Sequence, residues 1–261
     1  MNQSTRRSNA SSAIQVVRPH EGGLGSLRIL AGVEQTRGLY FAFESETTAA
    51  PTRVALDVHA HAAYEESEYV LSGRREIVVE EQQWHAQSGF FALAPRHAQH
   101  GMRTVGSAPS RWLHFFSPAE IERYFVERER LRDQGASAEQ LRALSHSYSV
   151  GDAPLSHAAE GVYVSSVDTR RDGVVATGAV TRNAYALADR STLPAQDHVD
   201  TDQEEAFYVM SGELTVEVEG VSLTAPARSF VLVPRGRQRR HVAAPGTRSL
   251  AICSPGHVVP H

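Results

Sequence analysis

From Ala13 onwards, apolar residues come in short runs separated by Gly, Pro and Asp. IQVV, SLRILAG, GLYFAFES and RVALDVHAH come first, then EYVLSG, REIVVEE, GFFALAP and RWLHFF. Turns about every ten residues between such runs predict an all-β sandwich or small barrel. Tyr40, Phe41, Phe43, Phe90 and Phe91 read as core or interface aromatics. Residues 1–12 are polar and have little to bury, which predicts a disordered arm.

The pattern changes after Pro118. PAEIERYFVERERLRDQG is rich in helix formers, with Ile121, Tyr124 and Phe125 at helical spacing. Ser117 is placed to cap this helix, with Glu120 as its capping-box partner. SAEQLRALSHSY predicts a second helix, with Gly135 or Ser137 marking the break. The charge run from Glu127 to Asp133 reads as a solvated helix face. VGDAPLSHAAEG reads as a linker, and strand-like segments resume at GVYVSSV.

The second half repeats the first. Tyr69 and Val70 recur as Tyr208 and Val209, and Ser72-Gly73 as Ser211-Gly212, 139 positions on. The same offset carries Phe91 to Phe230, Leu93 to Leu232, Pro95 to Pro234 and Arg96 to Arg235. One offset across both blocks, without a gap, marks a duplication. The expected organisation is an arm (1–12), a first β module (13–118), a helical connector (119–157) and a second β module (158–261).

Composition narrows the class of function. The 261 residues carry 26 basic and 30 acidic side chains, which argues against a nucleic-acid partner. No apolar run reaches the length of a membrane span, and the polar N-terminus has no signal-like apolar core. A single cysteine, Cys253, excludes a disulfide framework and any Cys-rich metal site. A cytoplasmic protein without membrane or nucleic-acid partners is the expectation.

The chemistry concentrates in HAHAAYEESEYVLSG, residues 59–73. On a strand, His59 and His61 share one face by the period of two. Together with Glu66 and His100 they offer three neutral imidazoles and one carboxylate, a suitable set for a divalent transition metal. Glu68, two residues beyond Glu66, shares its face on a regular strand and is a candidate general base; a kink would turn it to solvent or a salt bridge. His114, in WLHFF, reads as a buried structural histidine.

The 139-residue offset maps His59 to His198 and Glu66 to Glu205, but His61 to Asp200 and His100 to Arg239. An arginine stays protonated and has no lone pair for a metal. The second module therefore reads as a degenerate site, with Arg239 pairing Asp200 or Glu205. His198, Asp200 and His241 are a competing two-histidine, one-carboxylate triad. A third possibility makes Arg235, Arg237, Arg239 and Arg240 an anion pocket.

These blocks resemble the two motifs of the cupin superfamily. His59, His61, Glu66 and Gly73 match the first motif; Gly89, Pro95 and His100 match the second, with His97 in place of a glycine. In the second copy His198, Glu205, Gly212, Pro234 and Gly236 follow the pattern, while Asp200 and Arg239 depart from it. The resemblance implies a bicupin: two double-stranded β-helix (jelly-roll) barrels with a short helical segment between them. It further implies that His59, His61, Glu66 and His100 coordinate one divalent ion inside the first barrel, whether Fe, Mn, Ni, Co, Cu or Zn. WLHFFSPAEIERYF and its trailing helices are similar to quercetinase-like cupins.

The expected function is a metal-dependent enzyme acting on a small enol or phenolic substrate, foremost a dioxygenase with Glu66 as the base. Lewis-acid isomerisation, cyclisation, decarboxylation or hydrolysis at the same site is the alternative. A non-catalytic small-ligand-binding bicupin is the third reading. Both a monomer and a homodimer are compatible with the sequence.

Overall fold

The computed structural model describes residues 14–47, 56–148, 150 and 202–255, and the backbone of strands at 163–166, 173–176, 184–189 and 197–199. The expected arm and nearly all of the expected linker lie outside these residues. Four sheets build two jelly-roll barrels. In the first barrel a seven-stranded sheet runs Tyr163–Ser166, Phe90–Ala94, Glu65–Ser72, Ser110–Ser117, Phe41–Thr47, Leu27–Ala31, Gly23–Leu24. It faces a three-stranded sheet of Gln82–Gln87, Arg74–Val79 and His100–Thr104. In the second barrel the larger sheet runs Gln15–Val17, Phe230–Val233, Glu204–Ser211, Arg248–Ser254, Ala184–Asp189, Gly173–Ala176. The smaller one runs Asp197–Val199, Gln238–Ala243, Glu213–Val218, Val221–Pro226.

Two strands cross the division expected at residues 13–118 and 158–261. Gln15–Val17 pairs with Phe230–Val233 of the second barrel, and Tyr163–Ser166 with Phe90–Ala94 of the first. Those two receiving strands are equivalent under the repeat, so each half lends the other a strand at the same edge. The exchange covers backbone groups that an open sheet edge would leave unpaired.

The repeated residues turn out to be the contact between the barrels. Along Glu65–Ser72 and Glu204–Ser211, alternate side chains point to opposite faces. Tyr69 and Tyr208, Phe91 and Phe230, and Leu93 and Leu232 all lie in one buried cluster shared by both modules. Glu66, Glu68 and Val70, and in the copy Glu205, Phe207 and Val209, take the opposite face, toward the barrel interiors. The spacing of two thus separates an apolar docking face from an inner face free to vary. Tyr40, Phe41, Phe43 and Phe91 are almost wholly buried.

The connector opens as a 3₁₀ turn at Ala119–Ile121 and continues as helices Glu122–Asp133 and Ala138–Ser147. Ser137 caps the second helix, its hydroxyl accepting from the Gln140 N–H at 3.2 Å. Ser117 does not cap the first: its hydroxyl donates to the Leu39 carbonyl at 2.7 Å, and Pro118 enters the turn with no side-chain cap. The charge run is not wholly solvated either. Glu129 is buried, accepting from the N–H and hydroxyl of Ser26, both at 2.9 Å. Ile121, Tyr124 and Phe125 pack with Phe41, Phe43 and Phe116, closing the helices over one end of the first barrel.

Candidate metal centre

The segment carrying His59 and His61 is not the strand that its sequence predicts. Among its described residues only His59 joins a ladder, through a single bridge to His100. The two exchange N–H to carbonyl bonds of 2.9 and 2.8 Å. The chain then bends, and the His61 carbonyl accepts from the N–H of His97 at 2.7 Å. HAHAA has alanines where a strand favours β-branched residues, so one bridge replaces a ladder. His97 occupies the left-handed region at φ 68°, the turn conformation usual for the glycine it replaces.

The imidazoles converge nonetheless. The rings of His59, His61 and His100 lie 4.7 to 4.9 Å apart. One ligand atom from each of His59, His61, Glu66 and His100 falls within 4.8 Å of every other. Glu66 Oε2 is 3.2 Å from His61 Nε2 and 3.1 Å from His100 Nε2. The other ring nitrogen of His100 meets the Ala98 carbonyl at 2.8 Å, and that of His59 meets Asp57 at 3.2 Å. A carbonyl only accepts, so each Nδ1 carries a proton there and Nε2 is the ligand atom.

Charge in the cluster follows from burial and mutual contact. Burial pushes His61 down to about 4 against weaker opposition from Glu66, so it is a neutral donor at ordinary pH. Burial also opposes charge on His100, but the Glu66 carboxylate outweighs it and raises its pKa. Burial alone would raise Glu66; the bonds from His100 and His61 instead hold it well below the carboxylate range. The convergent lone pairs, the fixed ring orientations and the anionic oxygen fit a divalent cation.

Glu68 does face inward, with no kink, and is fully buried. Both its oxygens are engaged, however. Arg75 donates from Nε to Oε1 at 2.6 Å and from Nη2 to Oε2 at 2.9 Å. His114 Nε2 lies 2.9 Å from Oε2. Burial works against the Glu68 anion, yet Arg75 and His114 prevail and lower its pKa.

A cavity of about 450 Å³ opens onto the ligand cluster. Its other walls include the rings of Tyr64, Phe116, Tyr124 and Phe125 and, among polar groups, Arg75, His114 and Arg128. The Tyr64 ring lies over His61 with centroids 4.2 Å apart. Tyr124, Phe125 and Arg128 come from the connector helix, and Arg128 stacks over Phe125 at 4.6 Å. The sequence pattern marked Tyr124 and Phe125 as a helical stripe; nothing in it said that the stripe would roof a site.

The second barrel fills the equivalent place differently. His198 faces Arg239 in the ladder, repeating the His59–His100 pairing. Arg239 Nε donates to Glu205 Oε2 at 3.0 Å, and His241 Nε2 lies 3.7 Å from the same oxygen. Asp200, expected as a partner of Arg239, is outside the described residues, as is the His198 side chain.

The cupin domain family matches residues 46–116 and 191–254, just over half of the chain and both barrels. The chain belongs to the cupin family. With two such domains it is a bicupin. Among solved structures, a single-substitution variant of the oxalate decarboxylase of Bacillus subtilis is similar over 95% of this chain and 78% of its own, with TM-score 0.63 and 13% identity. Protein Ylba of E. coli is similar over 96% of this chain and 94% of its own, with TM-score 0.64 and 8% identity. The B. subtilis oxalate decarboxylase has Mn(II) centers; that relative shares 13% identity over 95% of this chain and 78% of its own, with TM-score 0.60. At such identities the likeness concerns the fold. No curated protein sequence matches the chain, and no described helix is long and apolar enough to cross a membrane.

Proposed function

We propose that this bicupin is a metal-dependent dioxygenase acting on a small planar substrate with an enol or phenol group, in its first barrel. The observation that carries this reading is the aromatic cavity beside the ligand cluster. Tyr64, Phe116, Tyr124 and Phe125 offer flat apolar faces, which favour a ring-bearing substrate over a small diacid. A divalent ion held by His59, His61, Glu66 and His100 would supply a Lewis acid and, if redox-active, an electron route to O₂.

The chain's own groups have separate tasks in this reading. Glu66 receives the substrate's hydroxyl proton, since its carboxylate belongs to both the ligand cluster and the cavity lining. Glu68 does not line the cavity and is support, not the base. The aromatic walls hold the ring and exclude water, and the connector helices form the roof.

Oxygen consumption by the metal-loaded protein against a panel of flavonols and catechols tests the reading. Uptake matched to substrate loss is the expected result. Turnover under strict anaerobiosis would replace dioxygenation by Lewis-acid isomerisation, cyclisation, decarboxylation or hydrolysis. A purified protein that takes up no metal would overturn both and leave a ligand-binding bicupin.

A further inference from the structure

The first barrel buries a chain of charges that the second does without. Arg75 holds both oxygens of Glu68, His114 holds one of them, and the Arg75 guanidinium lies 3.7 Å from the centroid of Trp112. Glu68 and Arg75 are both buried. At the matching positions the second barrel has Phe207 and Leu214, each 139 residues on. Ala251 faces Phe207 across the ladder as His114 faces Glu68. All three replacements are buried and apolar.

Removing charges from water is costly, and a well-packed apolar set often does as well or better for stability. The second barrel realises that apolar solution on the same scaffold, so the ionic chain is not needed to build a barrel. What adjoins it is Glu66, the next inward residue on the same strand. Glu66 turns Oε2 to His61 and His100, while Oε1 lies 3.4 Å from His114 Nε2. The terminal torsion of a glutamate is broad, so an unsupported Glu66 can rotate either oxygen, or both, toward the cluster.

We infer that Arg75, Glu68 and His114 form a positioning chain that fixes the orientation of Glu66 for the metal. Glu68 accepts the Nε2–H of His114 and so sets its tautomer. The same imidazole edge, 3.4 Å from Glu66 Oε1, draws that oxygen away from the ligand cluster. Arg75, backed by Trp112, holds Glu68 in place through both its oxygens. The inference rests on the metal-site reading, and concerns which groups orient a ligand.

The decisive experiment transplants the second barrel's solution as Glu68→Phe/Arg75→Leu/His114→Ala. Melting of the metal-free protein and the dissociation constant for Mn²⁺ or Co²⁺, by competition with a chelator, are measured on variant and wild type. The metal-free variant is expected to melt at or above the wild-type temperature, while metal binding weakens about tenfold to a hundredfold. The Co²⁺ absorption spectrum should shift as the carboxylate changes its binding mode. Affinity within about twofold of wild type would overturn the inference. Should the triple variant not fold, His114→Gln and His114→Phe decide it. Gln retains an N–H donor and should bind metal better than Phe; equal affinities would reduce His114 to packing. A wild-type protein that binds neither ion would instead overturn the metal site itself.

Discussion

The two barrels answer one electrostatic problem in two ways. Each carries a buried glutamate at the same inward position, Glu66 or Glu205. A buried carboxylate needs a positive or hydrogen-bonding partner. In the first barrel the partners are imidazoles, which can exchange a proton for a metal ion. In the second the partner is Arg239, a cation fixed to the chain, at the position of His100. The difference locates the variable chemistry on the inner face of the repeat. The docking face, with Tyr69 and Tyr208 and Phe91 and Phe230, is the same in both copies.

The strongest way to break this contrast is to convert one site into the other. His100→Arg should give Glu66 a permanent cation and abolish metal uptake, at least a hundredfold in affinity, while the far-ultraviolet circular dichroism stays native. Arg239→Ala should leave metal content per chain unchanged. It should still lower stability by about 3–5 kcal/mol in denaturant titration, because Glu205 loses its buried partner. Metal loss in Arg239→Ala would show that the barrels share a site.

The docking face has its own charged centre, and it tests whether the barrels stand alone. Glu44 accepts from Arg28 Nε at 3.1 Å, from Tyr208 Oη at 2.8 Å and from Arg228 Nη2 at 2.7 Å. Two of those donors belong to the second barrel. Burial disfavours the Glu44 anion, but Arg28, Tyr208 and Arg228 together lower its pKa. A lowered folded-state pKa contributes stability above the unfolded value, and loses it as pH falls through the folded one. Glu44→Gln should cost about 3 kcal/mol at neutral pH. The deficit should shrink under acid, when wild-type Glu44 is itself protonated. A deficit that persists unchanged would assign the effect to shape.

Much of this contrast could be read from the chain. The constant offset showed two modules, and the ligand spacing singled out His59, His61, Glu66 and His100, which the structure gathers. The strand exchange was not legible, because the three residues Gln15–Val17 fit either barrel edge equally well by pattern. Nor was the bend after His59, since a period of two describes HAH whether it is a strand or a bridge followed by a turn. Glu129 looked solvated because its run is charged throughout; its partner Ser26 lies 103 positions away. Long-range pairing of this kind leaves no local signal. The support of Glu68 by His114, 46 positions on, was hidden for the same reason; Arg75 is only seven residues away, but it lies on the next strand, across the turn at Gly73.

An effect of similar size, opposite in sign, is expected at Glu204 on the docking face. Burial pushes its carboxyl up to about 8, with Arg37 and Arg235 only partly opposing. Its Oε1 has no hydrogen-bond partner among the described residues. The folded state therefore holds a proton that the unfolded chain has released, and stability falls as pH rises from the ordinary carboxylate range to about 8. Glu204→Gln should raise stability at pH about 9 by roughly 3 kcal/mol and change little near pH 5. Melting curves at the two pH values check this. Equal effects at both would show that Glu204 does not titrate in this range.

The smallest expected effect lies in the backbone of the two copies. Positive φ recurs at matched turns: 82° and 75° at Gly73 and Gly212, 89° and 69° at Gly89 and Arg228, 68° and 76° at His97 and Gly236. The turn conformation is kept even where the residue is not glycine, so the fold demands it. His97 is exposed, and the bond it makes to the His61 carbonyl comes from its backbone N–H. His97→Gly keeps that bond and removes the Cβ strain, with a larger unfolded-state entropy acting against it. A net gain of about 0.5 kcal/mol is expected, with metal affinity unchanged. A loss of affinity would mean that the His97 imidazole joins the site, and the metal centre of the first barrel would then use a residue that the second replaces by glycine.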